Sequence, residues 1–261
     1  MAMITWSRMN RLRKPLVERN YRIMRSTYLE IGRDFVNRVR RFGIQVVTDG
    51  DVKTADATPL TEAYKRIFTD TAMYFARIGR DSFPKTRKFD EEEFLNSRWV
   101  NGIQQNIDKL ILQANFSERL YGTAIEEITR IARIYIDQGI STGMSIESIA
   151  DMIVKDYLDL YGESAKWMAR RVAQTETIRA SNFGTKEGVN GLGIDYVQSW
   201  LSTHDGRERP SHDQAAIDNN RIPSDQLFRV GGYDCEYPGD PALPPEESIN
   251  CRCAWTAEPI D

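Results

Sequence analysis

At 261 residues with 41% hydrophobic side chains, the chain carries enough apolar material for an ordinary buried core, in one large domain or two small ones. Its 35 Lys+Arg against 38 Asp+Glu give a formal charge of -3, so no global excess draws it to nucleic acid or membrane and any such attraction must be local. No apolar run approaches the roughly 18 residues of a membrane span, and Met1 to Asn10 lack the hydrophobic core of a secretory signal, so the expected place is the cytoplasm where the chain is made.

From about Leu16 to Phe42 the sequence reads as one amphipathic helix, because Met24, Tyr28, Ile31, Phe35, Val39 and Phe42 recur at spacings of three and four. Pro15 suits its first turn. The other faces carry Arg19, Arg22, Arg25, Arg33, Arg38, Arg40 and Arg41 against only Glu18, Glu30 and Asp34, which makes a basic helix in an acidic protein. Thr48 to Thr58, with Asp49-Gly50, predicts a turn or short linker. Helical sequence resumes near Thr61 and ends at Phe83-Pro84; a third helix starts at Asp90 to Glu93, where acids favour the positive end of a helix dipole, and runs to about Asn115. Leu120, Ala124, Ile128, Ile131 and Tyr135 form a stripe that stops at Gly139, and Ile146, Ile149, Ile153 and Tyr157 form another, which predicts two packed helices. A longer helix covers Glu163 to Val189, and Ile194 to Leu201 reads as a strand. From His204 onward the chain is rich in Pro, Gly, Asp and Asn, which predicts a compact, loop-rich unit with short strands.

The long helix aligns Ala169, Val172, Glu176, Ala180 and Phe183, so the Glu176 carboxylate falls on the face that should be buried. Burial without a partner would cost several kcal/mol. Arg179 is the local partner; Arg207, Arg209 or Arg252 would instead dock the tail against the helix, and a structural clamp is favoured over catalysis. The three cysteines, all in the tail, do not read as a disulfide framework, and reduced thiols or a metal site fit better. On a strand Cys251 and Cys253 would face one side; with His212 and Cys235 they make one nitrogen and three sulfurs, a set that suits tetrahedral structural zinc. The plain alternative is three small buried thiols.

His204-Asp205 and His212-Asp213, with Asn219, Asn220 and Asn250, raise a His-Asn-His-type nuclease around magnesium. Against that, no Gly-x-Ser-x-Gly elbow, phosphate-cradling glycine loop or paired carboxylates at helical metal spacing occur. The basic helix offers Arg22, Arg25, Arg33, Arg38, Arg40 and Arg41 either to phosphates, as sequence-independent DNA binding, or to an acidic protein surface. No aromatic residues interleave the arginine face for base stacking, so docking on a protein ranks first.

Ala173-Gln174-Thr175-Glu176 on a helix, Trp200 closing a strand, Thr203-x-Asp205-x-Arg207-x-Arg209 leading to His212, then Pro238-Gly239-Asp240-Pro241 and Ile249-Asn250-Cys251-Arg252-Cys253 occur in that order. From about Leu120 to Ala257 this resembles the C-terminal domain of phage Mu F-like minor head proteins, also called head morphogenesis proteins. His212, Cys251 and Cys253 match the family pattern, whereas Cys235 lies outside it. The resemblance implies a low-copy component of the procapsid interior, made in the bacterial host cytoplasm and placed in the virion at the portal vertex. Its implied partners are the portal protein, a scaffold or the major capsid protein, with genomic DNA as a non-specific contact and no membrane. It also implies a part in head assembly, DNA packaging or ejection. Some relatives carry fused toxin or transferase domains, but residues 1 to 119 offer no such site.

The expectation is therefore an α+β protein, mainly helical in its N-terminal two-thirds, with a small loop-rich α+β C-terminal domain. Its division is 1–118, a helical region with the basic amphipathic helix, and 119–261, the Mu F-like domain. Glu176, Asp205, Arg207, Arg209, Arg252, His212 and the two closing cysteines are expected to form a structural network, with no catalytic residue and no certain cofactor beyond the zinc option. The basic helix should be removable, by deleting residues 1 to 48, with the C-terminal domain still folded. A metal-dependent nuclease and an ejected host-directed effector are the alternatives.

Overall fold

The computed structural model describes residues 5–48, 57–83, 98–113, 116–203 and 205–260. The predicted linker at Thr48 to Thr58 and the predicted helix start at Asp90 to Glu93 fall largely or wholly outside those residues. Among the described residues six helices come first: α1 (Trp6–Phe42), α2 (Gln45–Thr48), α3 (Thr58–Asp81), α4 (Arg98–Gln113), α5 (Phe116–Ser141) and α6 (Ile146–Asn190). After them come β1 (Tyr196–Leu201), α7 (Pro210–Asp218), β2 (Ile222–Pro223), β3 (Phe228–Val230), β4 (Tyr233–Cys235), α8 (Pro245–Ser248) and β5 (Ala254–Pro259). The protein is thus α+β, helical first and strand-bearing last.

Two helices differ from the expectation. α1 begins nine residues before Pro15, which lies inside it rather than in its first turn. An interior proline removes one helical hydrogen bond and costs about 3 kcal/mol; tertiary packing of the preceding turns offsets this, since Met9 is buried against Phe75 and Ala254, with Trp6, Leu12 and Leu16 beside them. The second difference is α6, a single helix of 45 residues where two had been expected. Tyr157 and Tyr161 stack across the proposed break, their centroids 5.5 Å apart, and both rings are buried. An interior glycine such as Gly162 costs only about 1 kcal/mol, too little to end a helix so anchored.

The chain forms two compact units, each assembled from separated segments: residues 1–20, 66–114 and 173–261 in the first, and 21–65 and 115–172 in the second. In the second unit the α1 stripe Met24, Tyr28, Ile31, Phe35 and Val39 is buried, as are Ala124, Ile128 and Ile131 of α5 and Ile149, Ile153 and Tyr157 of α6. Phe35 meets Tyr157 at 4.9 Å. Phe42 is not part of this core; it is 55% exposed and lies under the Arg41 guanidinium at 5.0 Å.

In the first unit, α3 and α6 approach until their backbones nearly touch. A methyl group added at Gly184 would collide with the Ala72 carbonyl, one at Gly188 with the Ala76 carbonyl, and one at Gly79 with the Thr185 carbonyl. Glycine is required at these positions for space. The sheet is antiparallel in the order β2-β1-β5, with Trp200 facing Trp255 across the β1–β5 ladder. The β3–β4 hairpin turns on Gly231 and Gly232, whose φ angles of 57° and 92° suit a two-residue turn with both central residues left-handed.

Candidate functional site

Three pieces of the motif set meet on one stretch of α6, Thr175 to Asn182. The Asn250 amide donates to Thr175 Oγ1 at 3.1 Å, where Asn250 itself turns the chain with φ of 56°. Arg179 Nε donates to the Gly239 carbonyl at 2.6 Å, and Asn182 Nδ2 donates to the carbonyls of Pro238 at 2.8 Å and Cys253 at 3.1 Å. The Pro-Gly-Asp-Pro turn is closed by Asp240, whose carboxylate accepts from the Glu236 and Ala242 amides. Helix α6 is therefore the post on which both tail loops hang, which explains why short motifs far apart in sequence belong together.

Glu176 is 6% exposed and accepts from Arg179 Nη1 at 2.5 Å, so its partner is the local arginine three residues on. The tail arginines act elsewhere. Arg209 Nη2 donates to the Ile249 carbonyl at 2.7 Å. Asp205 is held from two sides, by both terminal nitrogens of Arg252 and by Arg207 Nη2 at 2.7 Å. Hydrogen bonds from Arg252 first and Arg207 second keep the Asp205 carboxyl well below the usual carboxylate range.

Two buried residues that the sequence did not single out complete this network. Asn182 is fully buried, and besides its two donations its Oδ1 accepts from the Trp255 amide at 3.0 Å and from Arg13 Nη2 at 2.6 Å. That uses every hydrogen-bonding position of the amide. Arg13, 3% exposed, also donates to Ser181 Oγ at 2.7 Å and to the Cys253 carbonyl at 3.2 Å. Burial lowers its pKa to about 10, against the charges of Cys251 and Cys253, which raise it. The available sequence signal was slight: a polar pair, Ser181-Asn182, between Ala180 and Phe183 of the apolar stripe, and an arginine on the same side of α1 as Met9.

His212, at the third position of α7, Cys251 and Cys253 are all buried, and their ligand atoms lie within 4.8 Å of one another. His212 Nδ1 is 3.3 Å from Cys253 Sγ and 3.8 Å from Cys251 Sγ. Its Nε2 faces Glu247 Oε2 at 3.0 Å, and that oxygen also accepts from Ser211 Oγ at 2.9 Å. Trp200 closes the other side, edge-on to the imidazole at 5.4 Å. Burial disfavours the imidazolium, but the hydrogen bond and charge of Cys251 outweigh it and raise the His212 pKa. Between the thiols, the hydrogen bond from Cys253 pushes Cys251 down and the same bond pushes Cys253 up, so the pair shares one proton. Cys235 does not join this cluster. It ends β4 opposite Phe228, and burial pushes its thiol up, which keeps it neutral.

Of the residues proposed for a nuclease, His204 lies outside the described residues. Asn219 binds the backbone of Ala215 and Arg229, Asn220 accepts from Ser199, and both ring nitrogens of His212 face the thiols and Glu247. In the second unit, Arg22, Arg33, Arg40 and Arg41 of α1 are exposed, with Arg25 and Arg38 half-buried. Among the described residues no helix is long and apolar enough to cross a membrane.

The family model of phage Mu protein F like protein matches residues 105–256, more than half of the chain. The chain belongs to that family. At family level it is a phage head morphogenesis protein, and the matched span holds the whole α6 post, the tail loops and the His212 cluster. Among curated proteins, 148 residues are 29% identical to NAD(+)--arginine ADP-ribosyltransferase EFV of Enterococcus faecalis (strain ATCC 700802 / V583), covering 56% of this chain and 28% of that protein. Protein YqbB of Bacillus subtilis (strain 168) is 26% identical over 198 residues, 74% of this chain and 57% of that one. The chain thus spans about a quarter and rather more than half of these relatives' lengths. No solved structure matches.

Proposed function

We propose that this phage Mu F-like protein is a minor, non-enzymatic component of the procapsid interior at or near the portal vertex, docked through the basic face of α1. The observation that carries this reading is the family match, which makes interaction with other head components the family-level role. The exposed Arg22, Arg33, Arg40 and Arg41, with Arg25 and Arg38 beside them, supply a concentrated positive surface on a chain of net charge -3, suited to an acidic face of the portal, scaffold or major capsid protein. A role in DNA packaging or ejection would use the same arginines on phosphates, and would differ by a steep salt dependence.

Quantitative mass spectrometry of purified procapsids and virions against the soluble lysate tests the placement. A few copies per particle support it; absence from both particles overturns it. The docking face is tested by Arg33→Glu/Arg40→Glu/Arg41→Glu, all exposed, which should lower incorporation by roughly tenfold or more while the circular dichroism spectrum is unchanged. Deleting residues 1 to 48 is not a clean substitute. Contrary to the expectation that the helix is removable, Trp6 donates to the Arg252 carbonyl and Arg13 to that of Cys253, so the deletion strips the C-terminal unit of its own contacts.

The ADP-ribosyltransferase name of one relative motivates a direct assay with NAD(+) and arginine-bearing protein, in which we expect no transfer. Plasmid DNA with magnesium or manganese should likewise stay intact. Finding the protein in infected cells apart from the emptied particle would favour an ejected effector over an assembly component.

A further inference from the structure

We propose that His212, Cys251 and Cys253 bind one Zn²⁺ ion, with Glu247 as the positioning residue and a water molecule in the adjoining cavity as the fourth ligand. The reading is independent of the assembly role. Its first support is metric. Zinc with S at about 2.3 Å and N at about 2.0 Å in tetrahedral array holds its nitrogen and sulfur about 3.6 Å apart. The two observed Nδ1–Sγ separations, 3.3 and 3.8 Å, lie on either side of that value, and all three ligand atoms lie within 4.8 Å of one another.

The second support is the imidazole's orientation. A metal-binding histidine donates its other ring N–H to a carboxylate or carbonyl, which fixes the tautomer and aims the free lone pair. Here Glu247, itself held by Ser211, sits on Nε2, so the lone pair of Nδ1 is left facing the two sulfurs. The third support is donor type: one imidazole and two thiolates select zinc over magnesium or calcium, which take oxygen ligands. The buried guanidinium of Arg13, whose hydrogen bonds go to neutral oxygens, adds positive charge that favours thiolate over thiol, the form that binds metal.

The cavity beside the cluster, bordered by Thr203, Glu208, Arg209 and the three ligands, has a volume of about 20 Å³. That is room for one water, which needs on the order of 10–15 Å³ of such space. A site with three protein ligands and an open fourth position resembles a catalytic zinc, but the space beside this one is little more than that water requires. The ion would be structural, joining α7 to the segment before β5.

The test uses the full chain, purified without chelator. About one Zn²⁺ per chain by inductively coupled plasma mass spectrometry is expected; Cys253→Ser, Cys251→Ser and His212→Ala should each lose it, whereas Cys235→Ser should keep it. Glu247→Gln should keep the stoichiometry but bind Zn²⁺ roughly 10–100-fold more weakly in chelator competition. Replacement of the ion by Co²⁺ should give thiolate-to-cobalt charge-transfer and tetrahedral d–d absorption in the wild type, a readout that stands even where a variant fails to fold. Substoichiometric zinc together with no cobalt spectrum and no rise in Tm on adding Zn²⁺ would overturn the proposal. Loss of metal from Cys235→Ser as complete as from Cys253→Ser would overturn the ligand assignment.

Discussion

Asn182 carries four hydrogen bonds and joins α1, α6, the Pro238 loop and β5, so Asn182→Ala leaves several buried groups unpaired at once. A loss of about 3 kcal/mol or more is expected by chemical denaturation, and a loss under about 1 kcal/mol would mean that those groups find other partners. Glu176→Ala should cost about 3–5 kcal/mol, because it removes the carboxylate that balances the buried Arg179 charge. The double change Glu176→Leu/Arg179→Met should recover part of that loss, since an apolar pair leaves no orphaned charge. Asp205 bears on pH. Its folded-state pKa is depressed by Arg252 and Arg207, so its contribution is present above the unfolded value of about 3.9 and fades as the pH falls through the folded one. The Tm gap between wild type and Asp205→Asn should therefore hold from pH 7 to about pH 5 and close in stronger acid. At this scale Glu176 was legible from its place on an apolar stripe. Asn182 and Arg13 were hidden, because most of their partners are backbone carbonyls and amides, and the side-chain contact between them spans 169 positions, so neither leaves a mark in the local pattern.

The glycines of α6 act through the neighbouring helix. On an exposed helix, Gly→Ala stabilises by about 1 kcal/mol. Gly184→Ala and Gly188→Ala should do the reverse, each destabilising by about 1–3 kcal/mol, because the added methyl meets the carbonyls of Ala72 and Ala76. The opposite sign in thermal denaturation would show that α3 can retreat. Most elements were legible from periodicity, including the α1 stripe, α3, the strand at Tyr196–Leu201 and the loop-rich tail. The failures have local causes. Pro15 was a good first-turn signal overruled by the packing of Trp6 and Met9, and the break expected between Tyr157 and Glu163 was overruled by the stacking of Tyr157 on Tyr161. Gly184 and Gly188, four apart, were a readable sign of close helix packing. The Cys251-x-Cys253 pair was legible as a shared site, but the exclusion of Cys235 depends on the β3–β4 hairpin, whose short strands carry no periodic pattern.

At the scale of the molecule, the first unit takes in residues 1–20, 66–114 and 173–261, so its integrity should depend on the N-terminal turns of α1. Removing residues 1 to 20 should speed amide exchange in β5 and β1, measured by mass spectrometry; unchanged protection there would show that the sheet stands without α1. The bond from Arg13 to the Cys253 carbonyl spans 240 positions of sequence. On a ribosome adding about 5–20 residues each second, the carbonyl follows the guanidinium by roughly 12–50 s. During that interval Trp6, Met9 and Leu12 have no β5 to cover them. Burial of this face of α1 is thus completed only when β5 has been made and has reached it, which sets a lower limit on the time the first unit needs to fold.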